Sequence, residues 1–142
     1  MNAGTIGLNV NTTDNFIING KYLASKDFAI LGGFGLAIAG GDAKGTDIGI
    51  LLGVRKYLKT DDFAPFVGGR FNYLSTNDSN TTGLQFLGEV GAEYFLGKQF
   101  SIEGRVGFGF SSLETKLVPS TVTSKVTSLG TSTASISANF YF

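Results

Sequence analysis

The chain has 142 residues, enough for one domain and too few for two. Glycine supplies 21 of them, about twice its usual share, charged residues are scarce at 15%, and Cys, His and Trp are absent. Eleven basic and eleven acidic side chains cancel, so no net field draws the chain to nucleic acid. Disulfides, thiolate or imidazole metal sites and His-dependent catalysis are all excluded, and no cofactor is implied.

No segment reads as a membrane-spanning helix. The longest charge-free apolar stretch, Phe28 to Gly41, is short and glycine-rich, whereas a spanning helix needs about 20 apolar residues. The start, Met1-Asn2-Ala3-Gly4-Thr5, lacks the basic region and long apolar core of a secretory signal. If the protein is exported, the chain reads as a mature form with an initiator Met.

Period-two alternation dominates instead. Phe28, Ile30, Gly32, Phe34, Leu36 and Ile38 fall on one parity, with Ala29, Leu31, Gly33, Gly35, Ala37 and Ala39 on the other. Ile48, Ile50, Leu52 and Val54 then alternate with Asp47, Gly49, Leu51, Gly53 and Arg55. Leu84, Phe86, Gly88, Val90, Ala92 and Tyr94 follow, then Phe100, Ile102, Gly104, Val106, Phe108 and Phe110, and finally Ala134, Ile136, Ala138, Phe140 and Phe142. No helical period competes, so the fold class is all-β. Three short turns and four longer connections divide the chain into eight strands, near 3–12, 15–23, 28–40, 46–58, 64–75, 82–96, 99–112 and 131–142. The polar connections are Asn11 to Asn15, Gly40 to Gly45, Ser75 to Thr82 and a long one from about Ser112 to Gly130. In the Ser- and Thr-rich stretch Ser111 to Thr133, 12 of 23 residues are Ser or Thr; 112–130 reads either as a surface loop or as an extension of the last two strands. All 142 residues form a single domain.

Alternation alone does not say which face is inside. One face carries Phe, Ile, Leu, Val and Tyr almost without charge. The other mixes Gly, Ala and Ser with Arg55, Arg70, Glu89, Glu93, Glu103 and Arg105. So small and sparsely charged a face cannot serve as a solvated exterior, but it suits the narrow lumen of an eight-stranded barrel. The expectation is therefore an eight-stranded antiparallel up-and-down transmembrane β-barrel, its bulky face in lipid and its six lumen charges paired with one another. Arginine facing lipid at mid-depth costs about 2–4 kcal/mol, so three misplaced ones would consume most of a typical stability of about 5–15 kcal/mol. Such a charge plug obstructs a water path, although Leu31, Leu51, Leu87 and Phe95 on the same parity offer a narrow conduit for ions or small apolar molecules as the alternative. Gly33-Phe34-Gly35 lacks the third glycine and following helix of a dinucleotide fingerprint.

The three short turns share a signature: Tyr22 to Phe28, Tyr57 to Phe63 and Tyr94 to Phe100, with tyrosines 35 and then 37 residues apart. Aromatics paired at each turn are what an interfacial girdle requires, so Tyr22, Phe28, Tyr57, Phe63, Tyr94 and Phe100 are expected to form one.

Taken with the strand Phe66-Val67-Gly68-Gly69-Arg70-Phe71 and the ending Ala138-Asn139-Phe140-Tyr141-Phe142, the pattern resembles the small outer-membrane β-barrel families of the OmpX and OmpA transmembrane type, over nearly the whole chain. That resemblance implies a bacterial outer-membrane location among membrane lipids and lipopolysaccharide, with periplasmic chaperones and the barrel-insertion machinery as partners during biogenesis. It further implies that Ile136, Ala138, Phe140 and Phe142 form the C-terminal signal read by that machinery. Ail-like and OmpX-like relatives act in adhesion or serum resistance through protruding loops, and this chain departs from them in loop composition. Barrel enzymes of the lipid A acylase, deacylase and omptin types rely on His, which is absent here. The expected function is thus non-enzymatic: a monomeric barrel with a structural or surface-interaction role.

Overall fold

The computed structural model describes residues 4–11, 17–39, 45–76, 81–116 and 123–142. Most of the connections predicted at Asn11 to Asn15, Gly40 to Gly45 and Ser75 to Thr82, and residues 117–122 of the last one, lie outside them. Eight strands follow in order: β1 (Ile6–Asn11), β2 (Ile17–Leu23), β3 (Phe28–Ala39), β4 (Gly45–Tyr57), β5 (Phe63–Thr76), β6 (Thr81–Phe95), β7 (Phe100–Lys116) and β8 (Thr123–Tyr141). Each pairs antiparallel with the next, and β1 pairs with β8 from Gly7↔Tyr141 to Asn11↔Ser137, closing the barrel. That seam removes the sheet edge over Ser137–Tyr141; above it, among the described residues, β8 is paired on its β7 side only.

The period-two pattern sets the two faces. Outward positions carry bulky apolar groups that remain exposed, among them Ile30, Phe34, Leu52, Val54, Phe86, Val90, Ile102 and Phe108. Inward positions carry nearly all the buried polar and charged groups. This inverts the usual arrangement of a water-soluble domain, where buried charges are the rarity.

So narrow a lumen needs space beside every long inward side chain, and glycine provides it. Gly68 lies in register between Arg55 and Glu89, and Gly91 between Phe66 and Arg105. A Cβ on Gly91 would stand 2.4 Å from the Gly104 carbonyl oxygen and 2.5 Å from the Phe66 ring. The outward Gly32 has nothing within 4 Å of such an atom.

The last hairpin runs further than the spans near 99–112 and 131–142 read from the pattern, since β7 and β8 stay paired up to Lys116↔Thr123. Between Gly109↔Thr131 and Phe110↔Leu129 the register shifts by one, leaving Gly130 as the extra residue of a β-bulge with φ of 92°. Glycine adopts that φ without the steric penalty of a Cβ. The bulge exchanges the faces of β8, so Val126 and Ser128 join the inward parity above it, whereas Ser135, Ser137 and Asn139 hold it below.

Replacing Gly91 by Ala should destabilise the barrel by about 1–3 kcal/mol, the usual cost of overpacking, while Gly32→Ala should change stability by less than about 0.5 kcal/mol. Urea unfolding followed by circular dichroism checks both.

Candidate functional site: the charged lumen

At the short-turn end the lumen floor is apolar, built from Leu23, Ala29, Tyr57, Ala64, Phe66 and Tyr141, with Phe95 packed against them. Above this floor the inward parity of β2, β4, β5, β6 and β7 delivers Lys21, Arg55, Arg70, Glu89, Glu93, Glu103 and Arg105, all buried. The six charges read from the sequence therefore do share one interior.

Their connections differ from simple pairing across neighbouring strands. Arg55 reaches across the lumen from β4 to β7 and forms a bidentate pair with Glu103, Nη1 to Oε2 at 2.7 Å and Nη2 to Oε1 at 2.9 Å. Arg105 adds a third contact to Glu103 at 3.0 Å along its own strand. Between adjacent strands Arg70 pairs with Glu89, and Arg105 Nε lies 3.7 Å from the same carboxylate. Arg55 also stacks on the Phe66 ring, 3.7 Å from its centroid. Bidentate guanidinium–carboxylate pairs are shorter and stronger than neutral hydrogen bonds, and here they offset the large cost of removing both ions from water.

Lys21, on β2, is the member that the charge pattern alone left out. Its ammonium donates to Glu93 at 2.9 Å and to Glu103 at 3.1 Å, joining the two carboxylates, and to the Tyr141 hydroxyl at 3.0 Å. Parity carried through β2 would have found it, because Asn19, Lys21 and Leu23 are all buried while Tyr22 is exposed. Glu93 also accepts from Tyr57 (2.5 Å), Asn139 (2.9 Å), Ser101 and Tyr141. At the seam closing the barrel, Asn9 Nδ2 donates to Asn139 Oδ1 at 2.5 Å, so the network fastens β1 to β8 as well as filling the lumen.

One predicted girdle member is corrected. Tyr57 is only 2% exposed and belongs to the lumen. It lies two residues after the inward Arg55, so strand parity turns it inward, and Leu58 is exposed at the turn in its place. The shared turn signature is thus one residue out of phase in the second hairpin. Tyr22, Phe63 and Tyr94 are exposed, and Phe28 and Phe100 are half-buried on the outward parity. The Phe100 ring lies 5.1 Å from that of Phe140. Ile136, Phe140 and Phe142 are exposed, and half-buried Ala138 shares their parity. Lys56, the outward lysine at the second turn, pairs with Asp27 of the first. That donation, helped by Ser25, lowers the Asp27 carboxyl below the ordinary carboxylate range.

The inward leucines Leu31, Leu51 and Leu87 are buried, and Leu31 stands in register with Lys21 and Leu87 with Arg70, so they are interleaved with the charges. Phe95 packs against the floor, and along the inward parity of β6 the buried Glu89 and Glu93 separate it from Leu87. Among the described residues, no three of His, Cys, Asp and Glu are grouped as metal ligands. Chemically the arrangement is an immobilised ion-pair lattice. The chain matches no protein-family model, and no curated protein matches it.

Glu103→Gln leaves Arg55 and Lys21 without their shared counter-charge and should cost about 3–5 kcal/mol, as breaking a buried pair does. Glu93→Ala should also destabilise, by removing one of the two carboxylates that hold Lys21 and the acceptor shared by four neutral donors. Urea titration of the refolded barrel measures both losses.

Proposed function

We propose that this protein is an integral β-barrel of a bacterial outer membrane, monomeric and non-enzymatic, with a structural or surface-interaction role exercised through its polar loops. The observation that carries the reading is the inverted distribution of side chains. Phe34 is 57% exposed and Phe108 63%, while Arg55 and Glu103 are at 1% and 0%. A wall of that polarity is stable where its surroundings are hydrocarbon.

In this reading the exposed belt faces lipid, and Tyr22, Phe28, Phe63, Tyr94 and Phe100 sit at the periplasmic interface, where aromatic side chains concentrate. The turns at 24–27, 58–62 and 96–99 face the periplasm, and the longer connections face outward among lipopolysaccharide. Ile136, Ala138, Phe140 and Phe142, on one face of the final strand, form the surface that insertion machinery would engage. A spanning strand needs about 9–11 residues. The 17 of β7 and 19 of β8 leave an arm projecting beyond the membrane on the loop side. The closed ion-pair lattice favours this role over a conduit.

Val90, outward and half exposed, provides the test. If lipid surrounds it, Val90→Arg should cost about 2–4 kcal/mol in vesicles; a surface facing water would tolerate the change within about 0.5 kcal/mol. A chain that stays monomeric and dispersed without surfactant would overturn the reading. In planar-bilayer recording, no steady conductance of porin size is expected.

A further inference from the structure

At its foot β8 is held on both sides, by β7 and, over Ser137–Tyr141, by β1. β1 ends at Asn11, opposite Ser137, whereas β8 runs on against β7 up to Thr123. Only five residues join Asn11 to Ile17. Fully extended they span at most about 18 Å, and they must return to β2. Leu129 stands eight residues beyond Ser137, about 26 Å along a strand, so the β1–β2 connection cannot reach it. From Thr123 to Leu129 the side of β8 away from β7 has no partner strand among the described residues. All seven side chains there are exposed, whichever face of the strand they take.

The backbone of this stretch points outward in a fixed pattern, because alternate residues of an antiparallel strand bond to opposite neighbours. At the foot, Tyr141 N–H donates to the Gln99 carbonyl at 2.9 Å and Phe142 N–H to the Ile6 carbonyl at 2.9 Å. Odd residues of β8 thus face β7, and even ones face β1. The shift at Gly130 exchanges the two sets. Above it, Thr123, Lys125, Thr127 and Leu129 turn their N–H and C=O groups toward the vacant side. Strand edges are ordinarily guarded by charge, proline, a bulge or brevity. This one has seven residues and no proline, against a usual strand of about 5–6, and its bulge lies below it rather than within it. Its single charge, Lys125, has Glu114 in register beside it. Val126 is left 60% exposed and Leu129 87%.

We propose that the arm pairs with the arm of a second copy, β8 against β8 in antiparallel register about a twofold axis through Val126. Thr123 then faces Leu129 and Lys125 faces Thr127 in hydrogen-bonded rungs, and the two Val126 side chains meet in the non-hydrogen-bonded rung at the centre. Val126 already stands beside Leu113 in its own hairpin. The pairing therefore joins two exposed leucines and two exposed valines into one apolar row across four strands. A centre at Lys125 would set the two lysines directly opposite, which destabilises; a centre at Val126 avoids it. This self-complementarity favours a copy of the chain over an unrelated strand, and lower down the same edge already accepts β1 in the antiparallel sense. Since β8 descends toward the barrel wall in each copy, antiparallel pairing sets two barrels head to head. The partner is a copy in an opposed membrane, while each barrel stays monomeric in its own. Contact between membranes rests on the outer-membrane reading, and it gives the surface role a partner.

Cysteine provides the first test, since the chain has none of its own. Val126→Cys, held in amphipathic polymer and mildly oxidised, should form a disulfide-linked dimer at least about tenfold faster than Ser124→Cys, because only residue 126 meets its own mate. Equal rates would overturn the proposal. Monomers from both variants would overturn it too and leave the edge to a strand of another protein. The second test uses phosphatidylcholine vesicles carrying the refolded protein, floated on a density gradient to prove insertion. Vesicles with the unaltered chain should cluster. Thr127→Pro, which removes an edge N–H but no bond to β7, should slow clustering at least about tenfold. Vesicles with Val126→Asp or with Val126→Lys should each stay dispersed, and a mixture of the two should cluster again. Inserted protein that never clusters, or that clusters regardless of these variants, would overturn the pairing. Protein that fails to float counts against the membrane reading instead, and the cysteine dimers then decide the pairing alone.

Discussion

Everything in this barrel follows from confining seven ionised side chains within a cylinder too narrow to hydrate them. An unpaired ion there would cost several kcal/mol, so each must meet a counter-charge from another strand or another level. The pairs that result, Arg55 with Glu103 and Lys21 with both Glu93 and Glu103, cross the lumen rather than following the ladder. They therefore constrain the relative positions of β2, β4, β6 and β7, which backbone hydrogen bonding alone fixes only between neighbours. Glycine at Gly68 and Gly91 is the geometric counterpart of this lattice: long charged chains fit because the adjoining inward positions carry no side chain.

The interior is layered by chemistry. An apolar floor closes the short-turn end, the ion pairs occupy the middle, and on the loop side the wall of β5, β6 and β7 carries Asn72, Gln85 and Ser111 in one register row and Leu74, Gly83 and Leu113 in the next. The floor excludes water from one side of the lattice, which strengthens each Coulombic contact there. At the other side, Arg70 and Glu89 are slightly more accessible than the Arg55–Glu103 pair, so the lattice grades from sealed to approachable along the barrel axis.

Much of this was legible in the chain itself. Alternation of bulky and small residues over long runs specifies strands, and the scarcity of charge on the small face specifies which side turns in. Arg55, Arg70, Glu89, Glu93, Glu103 and Arg105 could be placed together because each interrupts an otherwise uncharged parity. Lys21 was not legible in the same way: β2 is short and mixed in polarity, so its alternation is a weak signal. Tyr57 shares the turn motif of Tyr22 and Tyr94 yet follows strand parity, which is the stronger constraint, since a one-residue slip would carry Arg55 outward as well. Trans-lumen partners such as Arg55 and Glu103 have no local signature, because they depend on how the cylinder closes. Nor did alternation reveal the bulge at Gly130, which lies within a polar, low-contrast stretch.

That bulge gives the final strand two reading frames. Below Gly130, odd-numbered residues look into the lumen; above it, even-numbered ones do. Deleting Gly130 would leave Thr131 opposite Gly109 and Leu129 opposite Phe110 in unbroken alternation, so the arm would keep its facing. A strand that kept every residue but lost the bulge would instead send Leu129 toward the axis and Val126 away from it, without disturbing the rungs that join Ser137 and Tyr141 to the first strand. The wall and the arm are thus separately editable pieces of one continuous hairpin, coupled through a lone glycine that sets their relative phase.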